Sequence, residues 1–198
     1  MSTPHMPPRR LLLLAMLLAG CAAPPITHVD AGEKLVKQRL AVAVDTPWNQ
    51  FERGSFAQVP MWTNEGITVD ALQFYVGLKD GELIAPTPKE PKGQRDLAFK
   101  ATMQPAEIVA LYQSLWTRDG SVFTLDKLEP AEFVGEKGFR FEYTLLRKLD
   151  EVRLQGVAWG AVRNGELFAI TFSAPRLAFF PRLKARVEGI AKSARVAG

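Results

Sequence analysis

The chain has 198 residues, 47% hydrophobic and 10% aromatic, with a formal net charge of +4 at pH 7. Two of its basic residues, Arg9 and Arg10, stand ahead of every acidic group, and without residues 1–20 the balance is 23 basic against 21 acidic side chains. That near-neutrality excludes the concentrated basic surface that nucleic acid requires, while the remaining length suits one domain with a full hydrophobic core.

The first element is a leader. Arg9 and Arg10 precede an apolar run from Leu11 to Leu18, which ends in Leu18-Ala19-Gly20-Cys21. A positive end, a short apolar core and small residues before a cut make a secretory signal. The run is too short for a membrane-spanning helix, which needs about 20 residues. The four residues from Leu18 to Cys21 resemble the lipobox of bacterial lipoproteins. The resemblance implies removal of residues 1–20 as a signal peptide and acylation of Cys21, with palmitate-type chains, as a lipid anchor. Two or three acyl chains hold durably where one holds only marginally. Ala22 and Ala23 follow with no Asp next to the cysteine, a pattern similar to lipoproteins sorted to the outer membrane. The implied location is the bacterial cell envelope, lipid-anchored at the outer membrane and facing the periplasm.

Residues 21–32, with Pro24, Pro25 and Gly32, read as the lipidated cysteine and a flexible tether, and 33–198 as a single α+β domain. The stretch 35–44 reads as a first strand, dense in β-branched residues and ended by Pro47. A looser segment follows with Trp48, Phe51, Phe56, Met61 and Trp62. Ile67 to Leu78 reads as a strand, bulged where alternation slips at Ala71-Leu72, and Asp80-Gly81 as a hairpin turn from which Leu83 and Ile84 return. Residues 85–96, holding Pro86, Pro88 and Pro91, form an exposed loop, after which Phe99, Ala101 and Met103 alternate as a short strand.

Pro105 suits a helical first turn. Ile108, Leu111, Tyr112, Leu115 and Trp116 make one apolar stripe, closed by Asp119-Gly120. From residue 121 the pattern is a four-stranded meander over 121–128, 132–146, 152–163 and 166–174, with Phe139, Phe141 and Tyr143 alternating against Arg140 and Glu142. Asn164-Gly165 is a strong hairpin signal. A final amphipathic helix runs from about Phe180 to Ala194, with Lys192 near its carboxyl end. The predicted fold class is therefore α+β: a mainly antiparallel sheet packed by an amphipathic central helix and a C-terminal helix.

The unit made of the Asn164-Gly165 hairpin, the strand Leu167-Phe168-Ala169-Ile170-Thr171-Phe172-Ser173-Ala174-Pro175 and the closing helix through Lys192-Ser193-Ala194-Arg195 resembles the carboxyl-terminal unit of PsbP and Mog1-type domains. That family includes binding and assembly factors, some of them bacterial lipoproteins, so the resemblance implies a binding module.

Chemistry-bearing residues are few. His5 leaves with the leader, His28 lies in the tether, and Cys21 is committed to the anchor. A positioned imidazole or thiolate for nucleophilic catalysis is therefore not expected, nor is a zinc site built from His and Cys, and no motif indicates a cofactor. Trp48, Phe51, Phe56 and Trp62, with Met61, either line an apolar ligand pocket or cover an open face of the sheet as core. Lys89, Lys92 and Arg95 either touch anionic headgroups or an acidic partner, or simply solvate their loop. Glu132, Glu136 and Glu142 would need to face one another across a cleft, about 5–9.5 Å apart, to serve a sugar hydrolase. The expected function is a non-enzymatic envelope lipoprotein, held to the membrane by its lipid and binding another envelope component. The alternative is a carrier or sensor of a small apolar ligand.

Overall fold

The computed structural model describes residues 26–51, 59–85 and 97–197. The leader, Cys21, Phe56 and the loop with Lys89, Lys92 and Arg95 lie outside the described residues. Among the described residues, eleven strands and two helices follow one another in the order β1 (Ile26–Val29), β2 (Gly32–Val36), β3 (Leu40–Val44), β4 (Trp48–Phe51), β5 (Met61–Thr63), β6 (Ala71–Leu78), α1 (Pro105–Trp116), β7 (Val122–Phe133), β8 (Glu136–Leu146), β9 (Arg153–Arg163), β10 (Glu166–Pro175), α2 (Phe179–Ser193) and β11 (Arg195–Val196). Eight strands form one antiparallel sheet in the order β1-β4-β5-β6-β10-β9-β8-β7, and β11-β3-β2 form a second, small one. The fold is α+β, with the helices segregated to opposite faces of the large sheet.

The large sheet is the middle of three layers, so its central strand is apolar on both faces. Phe168, Ile170 and Phe172 of β10 join Leu72, Phe74 and Trp159 in a core closed by α2 and by Val42 and Val44 of the small sheet. Leu167 and Ala169 point the other way and join Phe139, Phe141 and Tyr143 beneath Ile108, Leu111 and Tyr112 of α1. Two glycines of β9 make room for this second core. A Cβ at Gly156 would lie 2.1 Å from the Tyr143 ring, and one at Gly160 would lie 2.6 Å from Phe139. Each glycine is the direct cross-strand partner of the aromatic that covers it.

α1 starts as the sequence indicates, with Pro105 in its first turn and the Glu107 carboxylate accepting a 2.7 Å hydrogen bond from the Gln104 N–H. α2 and the hairpins at Asn164-Gly165 and between β8 and β9 also stand where they are expected.

Elsewhere the structure corrects the reading. The stretch 35–44 is two strands, β2 and β3, folded back at Lys37 and Gln38, which take positive φ of 48° and 58°. Part of the predicted tether is sheet, because Ile26–Val29 pairs along β4. The looser segment contains β4 and β5. Residues 67–69 are turn, and the bulge of β6 falls opposite Phe168, between the Leu78 and Tyr75 pairings, with Gly77 at φ 65°. Leu83 and Ile84 do not return along β6. The Gly81 N–H donates to Phe99 O and the Phe99 N–H to Glu82 O, both at 2.8 Å, and only Leu83 and Ala98 form a bridge, so 99–103 is not a strand. β7 continues through Pro130 to Phe133, which an edge strand permits.

Candidate functional site

The candidate residues from the sequence divide between core and cleft. Trp48 begins β4 and is 1% exposed, packed in the α2-side core with the Arg186 guanidinium 5.1 Å from its ring centre. Trp62 on β5 is 2% exposed, tilted against Phe74 at 4.5 Å between centroids, and its indole Nε1–H donates to Gln50 Oε1 at 2.9 Å. Phe51 ends β4, opposite Met61 in register. Strand pairing thus brings Trp48, Phe51 and Trp62 to one corner of the large sheet, with the first two at opposite ends of β4.

Phe51 and Trp62 border a cleft of about 480 Å3 between this corner and β2, shared with His28, Lys34, Lys37 and Gln50. Its walls mix apolar rings with cations and an amide. His28 lies 3.5 Å from Asp30, both largely exposed. Because the two rings are almost wholly buried, they give the cleft an apolar floor but little free aromatic surface.

A second cleft, about 450 Å3, opens on the α1 side, where Tyr75, Trp116, Arg118, Ser121 and Arg147 converge. Burial raises the pKa of Tyr75, Tyr112 and Tyr143, which keeps all three phenols neutral. The Tyr143 hydroxyl donates to Phe172 O at 3.5 Å, whereas the buried Tyr112 hydroxyl has no hydrogen-bond partner among the described residues.

The acids of the meander do not converge on a cleft. Glu132 stands opposite Lys137 across the β7–β8 turn. Glu142 lies on the α2 face, bound to Arg140 at 2.5 Å and to Lys184 at 3.4 Å, while Arg140 also holds Glu129 at 2.9 Å. Partial burial by itself would raise the Glu142 pKa, but the hydrogen bond and charge of Arg140, with Lys184 beside it, outweigh burial and hold it below the usual carboxylate value. Glu166 is lowered first by its hydrogen bond from Arg39. Arg39 reaches it from the β2–β3 turn across Gly77, where any Cβ would meet the guanidinium at 2.1 Å. Small and large sheets are thereby joined by an ion pair.

Two features escaped the sequence reading. Gln50, the partner of the Trp62 indole, carries no motif, since only strand pairing brings it there. Leu149 and Leu177 sit in polar turns and are the most exposed large hydrophobics among the described residues, at 86% and 93%. Their signal was a single leucine flanked by charge in Lys148-Leu149-Asp150-Glu151, and another in Arg176-Leu177.

No family model and no curated protein sequence matches the chain. Among solved structures, the cyanobacterial PsbP (CyanoP) from Synechocystis sp. PCC 6803 superposes with a TM-score of 0.56 at 14% identity, covering 90% of this chain and 96% of that one. LpqN of Mycobacterium tuberculosis, a protein involved in cell envelope biogenesis, aligns over 90% of this chain and 88% of its own with a TM-score of 0.36 and 9% identity. The likeness first visible in the last third of the sequence extends over the whole architecture, and the chain has a PsbP-like α+β fold.

Proposed function

We propose that this chain is a lipid-anchored protein of the bacterial cell envelope, acylated at Cys21 and held at the outer membrane facing the periplasm, whose PsbP-like domain works as a non-enzymatic binding or assembly module. The observation that carries the reading is the run from Arg9 to Cys21: a positive end, an apolar core, two small residues and a single thiol in the order that a lipid anchor needs. Basic partners hold Glu129, Glu142, Asp150 and Glu166 below the usual carboxylate range, so none of these four is poised as a general acid or base near neutral pH.

Metabolic labelling with an alkyne fatty acid tests the anchor. Label on the wild-type chain, absent from Cys21→Ser, with an intact mass lacking residues 1–20, is the expected result. An unlabelled chain that keeps its leader would overturn it. Affinity capture of the full chain from solubilised envelopes then tests the binding role, with one reproducible partner expected.

The alternative of a small-ligand carrier draws support from the cleft floored by Phe51 and Trp62. Native mass spectrometry of the gently purified chain tests it: a bound apolar molecule released by Phe51→Ala favours the carrier, and a ligand-free mass disfavours it.

A further inference from the structure

Five of the nine exposed large hydrophobics among the described residues, Ile67, Val122, Leu146, Leu149 and Leu177, stand at one end of the large sheet. This is the end where β6 and β7 begin and β8 and β10 finish. Its connections are tied together. Arg147 donates to Thr68 O at 3.0 Å and clamps both oxygens of Asp150 at 2.8 and 2.6 Å, and the Arg176 N–H donates to Arg153 O at 3.2 Å. Leu149 and Leu177 therefore project from neighbouring, braced turns. Between those turns lies a mainly apolar cleft of about 390 Å3, lined by Val152, Pro175, Leu177 and Ala178, with Arg153 and Arg176 on its sides.

One exposed leucine is ordinary on a protein surface, whereas several together on one convex end mark a contact with a membrane or a protein. Here Lys148, Arg153 and Arg176 lie beside the projecting leucines, and of the two acids that follow Leu149 in its turn Asp150 is paired with Arg147, which leaves Glu151. Apolar tips flanked by more cations than unpaired acids match an anionic bilayer, in which acyl chains lie under phosphates.

We propose that this end of the sheet is a second membrane contact, in which Leu149 and Leu177 enter an anionic lipid surface and Arg153 and Arg176 meet lipid phosphates. It rests on the envelope reading for the presence of a bilayer, and not on acylation of Cys21.

The test uses the full chain, purified from membranes and reconstituted in vesicles of phosphatidylglycerol with phosphatidylethanolamine, or of phosphatidylcholine alone. A nitrobenzoxadiazole probe is placed at Leu177→Cys or, at the opposite end of the sheet, at exposed Lys137→Cys. The expected result is blue-shifted emission, quenched by nitroxide-labelled acyl chains, at position 177 only and in the anionic vesicles only. The shift is lost when Arg153→Gln and Arg176→Gln are combined. Water-like emission at 177 in both vesicles would overturn the proposal, as would a shift that appears only when envelope proteins are added, which would assign the surface to a protein partner. Intact mass of the same sample reads Cys21 separately. An unmodified thiol sinks the anchor, while the probe still decides the membrane contact when preformed vesicles are mixed with the chain.

Discussion

At the scale of single residues, the α1-side core is built on what β9 omits. Tyr143 lies flat over Gly156 because it is also stacked by Trp116 at 4.5 Å and by Phe123 at 5.4 Å. A methyl group at Gly156 would enter the ring, and the ring has no room to retreat. Gly156→Ala is therefore expected to destabilise the fold by about 1–3 kcal/mol, the range for overpacking a filled core. A thermal melt should show a lower Tm, by roughly 2–4 °C per kcal/mol for a domain of this size. Charge gives a second expectation. The Glu142 carboxyl is held below its usual value by Arg140 and Lys184 against the opposing effect of burial, so folding favours its ionised form. A depressed folded pKa contributes stability in full above the unfolded value, about 4.3, and loses it as the pH falls through the lower folded value. Glu142→Gln should thus cost about 1 kcal/mol or less at pH 7, given how little partly exposed pairs contribute. Urea titrations carried downward from pH 7 should show the gap to wild type closing below about pH 4.3.

Among the elements, the β2–β3 hairpin turns on residues poorly suited to it. Lys37 and Gln38 both hold positive φ, the geometry of a turn that favours Asn-Gly, and a side chain in the left-handed region costs about 1–2 kcal/mol. Gln38→Gly removes that strain while adding freedom to the unfolded chain. The net expectation is a gain of up to about 1 kcal/mol, read as a raised urea midpoint with an unchanged slope. This same turn shows why part of the fold was illegible. Asn164-Gly165, the α1 stripe after Pro105 and the α2 stripe through Leu183, Val187 and Ile190 announce themselves, because local geometry demands those residues there. The turn at Lys37 does not, since tertiary packing of Val36, Leu40 and Val42 under α2 imposes a conformation that the local sequence does not favour. β4 and β5, four and three residues long, are too short for periodicity to separate from loop. β1 is hidden because its exposed residues carry no apolar alternation. The candidate aromatic site was half legible: residue type left Trp48, Phe51 and Trp62 open between pocket and core, and only pairing shows that Phe51 and Trp62 share a cleft wall while Trp48 does not.

Across the whole molecule, both faces of the large sheet are covered, so what the fold leaves uncovered lies at its edges and ends. The long edge strand β7 is guarded. Its register breaks between Leu125 and Lys127, where Asp126 bulges and accepts a hydrogen bond from the Thr144 hydroxyl at 2.9 Å, and Lys127 and Pro130 follow. Bulge, charge and proline are the usual means of keeping an edge from pairing with another chain. No equivalent protection covers Leu149 and Leu177, which stand in water at the end of the sheet. If the fold itself used them, their removal would destabilise it. We expect the reverse: Leu149→Glu and Leu177→Glu, singly or together, should leave the free energy of unfolding within about 0.5 kcal/mol of wild type, as surface substitutions do. Ile190, 1% exposed between α2 and the large sheet, supplies the contrast, since Ile190→Ala should cost about 2–5 kcal/mol. Equilibrium urea unfolding of the four variants measures both. A large loss from either leucine would mean that the turns need these side chains for folding, whereas neutrality would leave a contact outside the fold as the reason for placing the two most exposed large hydrophobics among the described residues here.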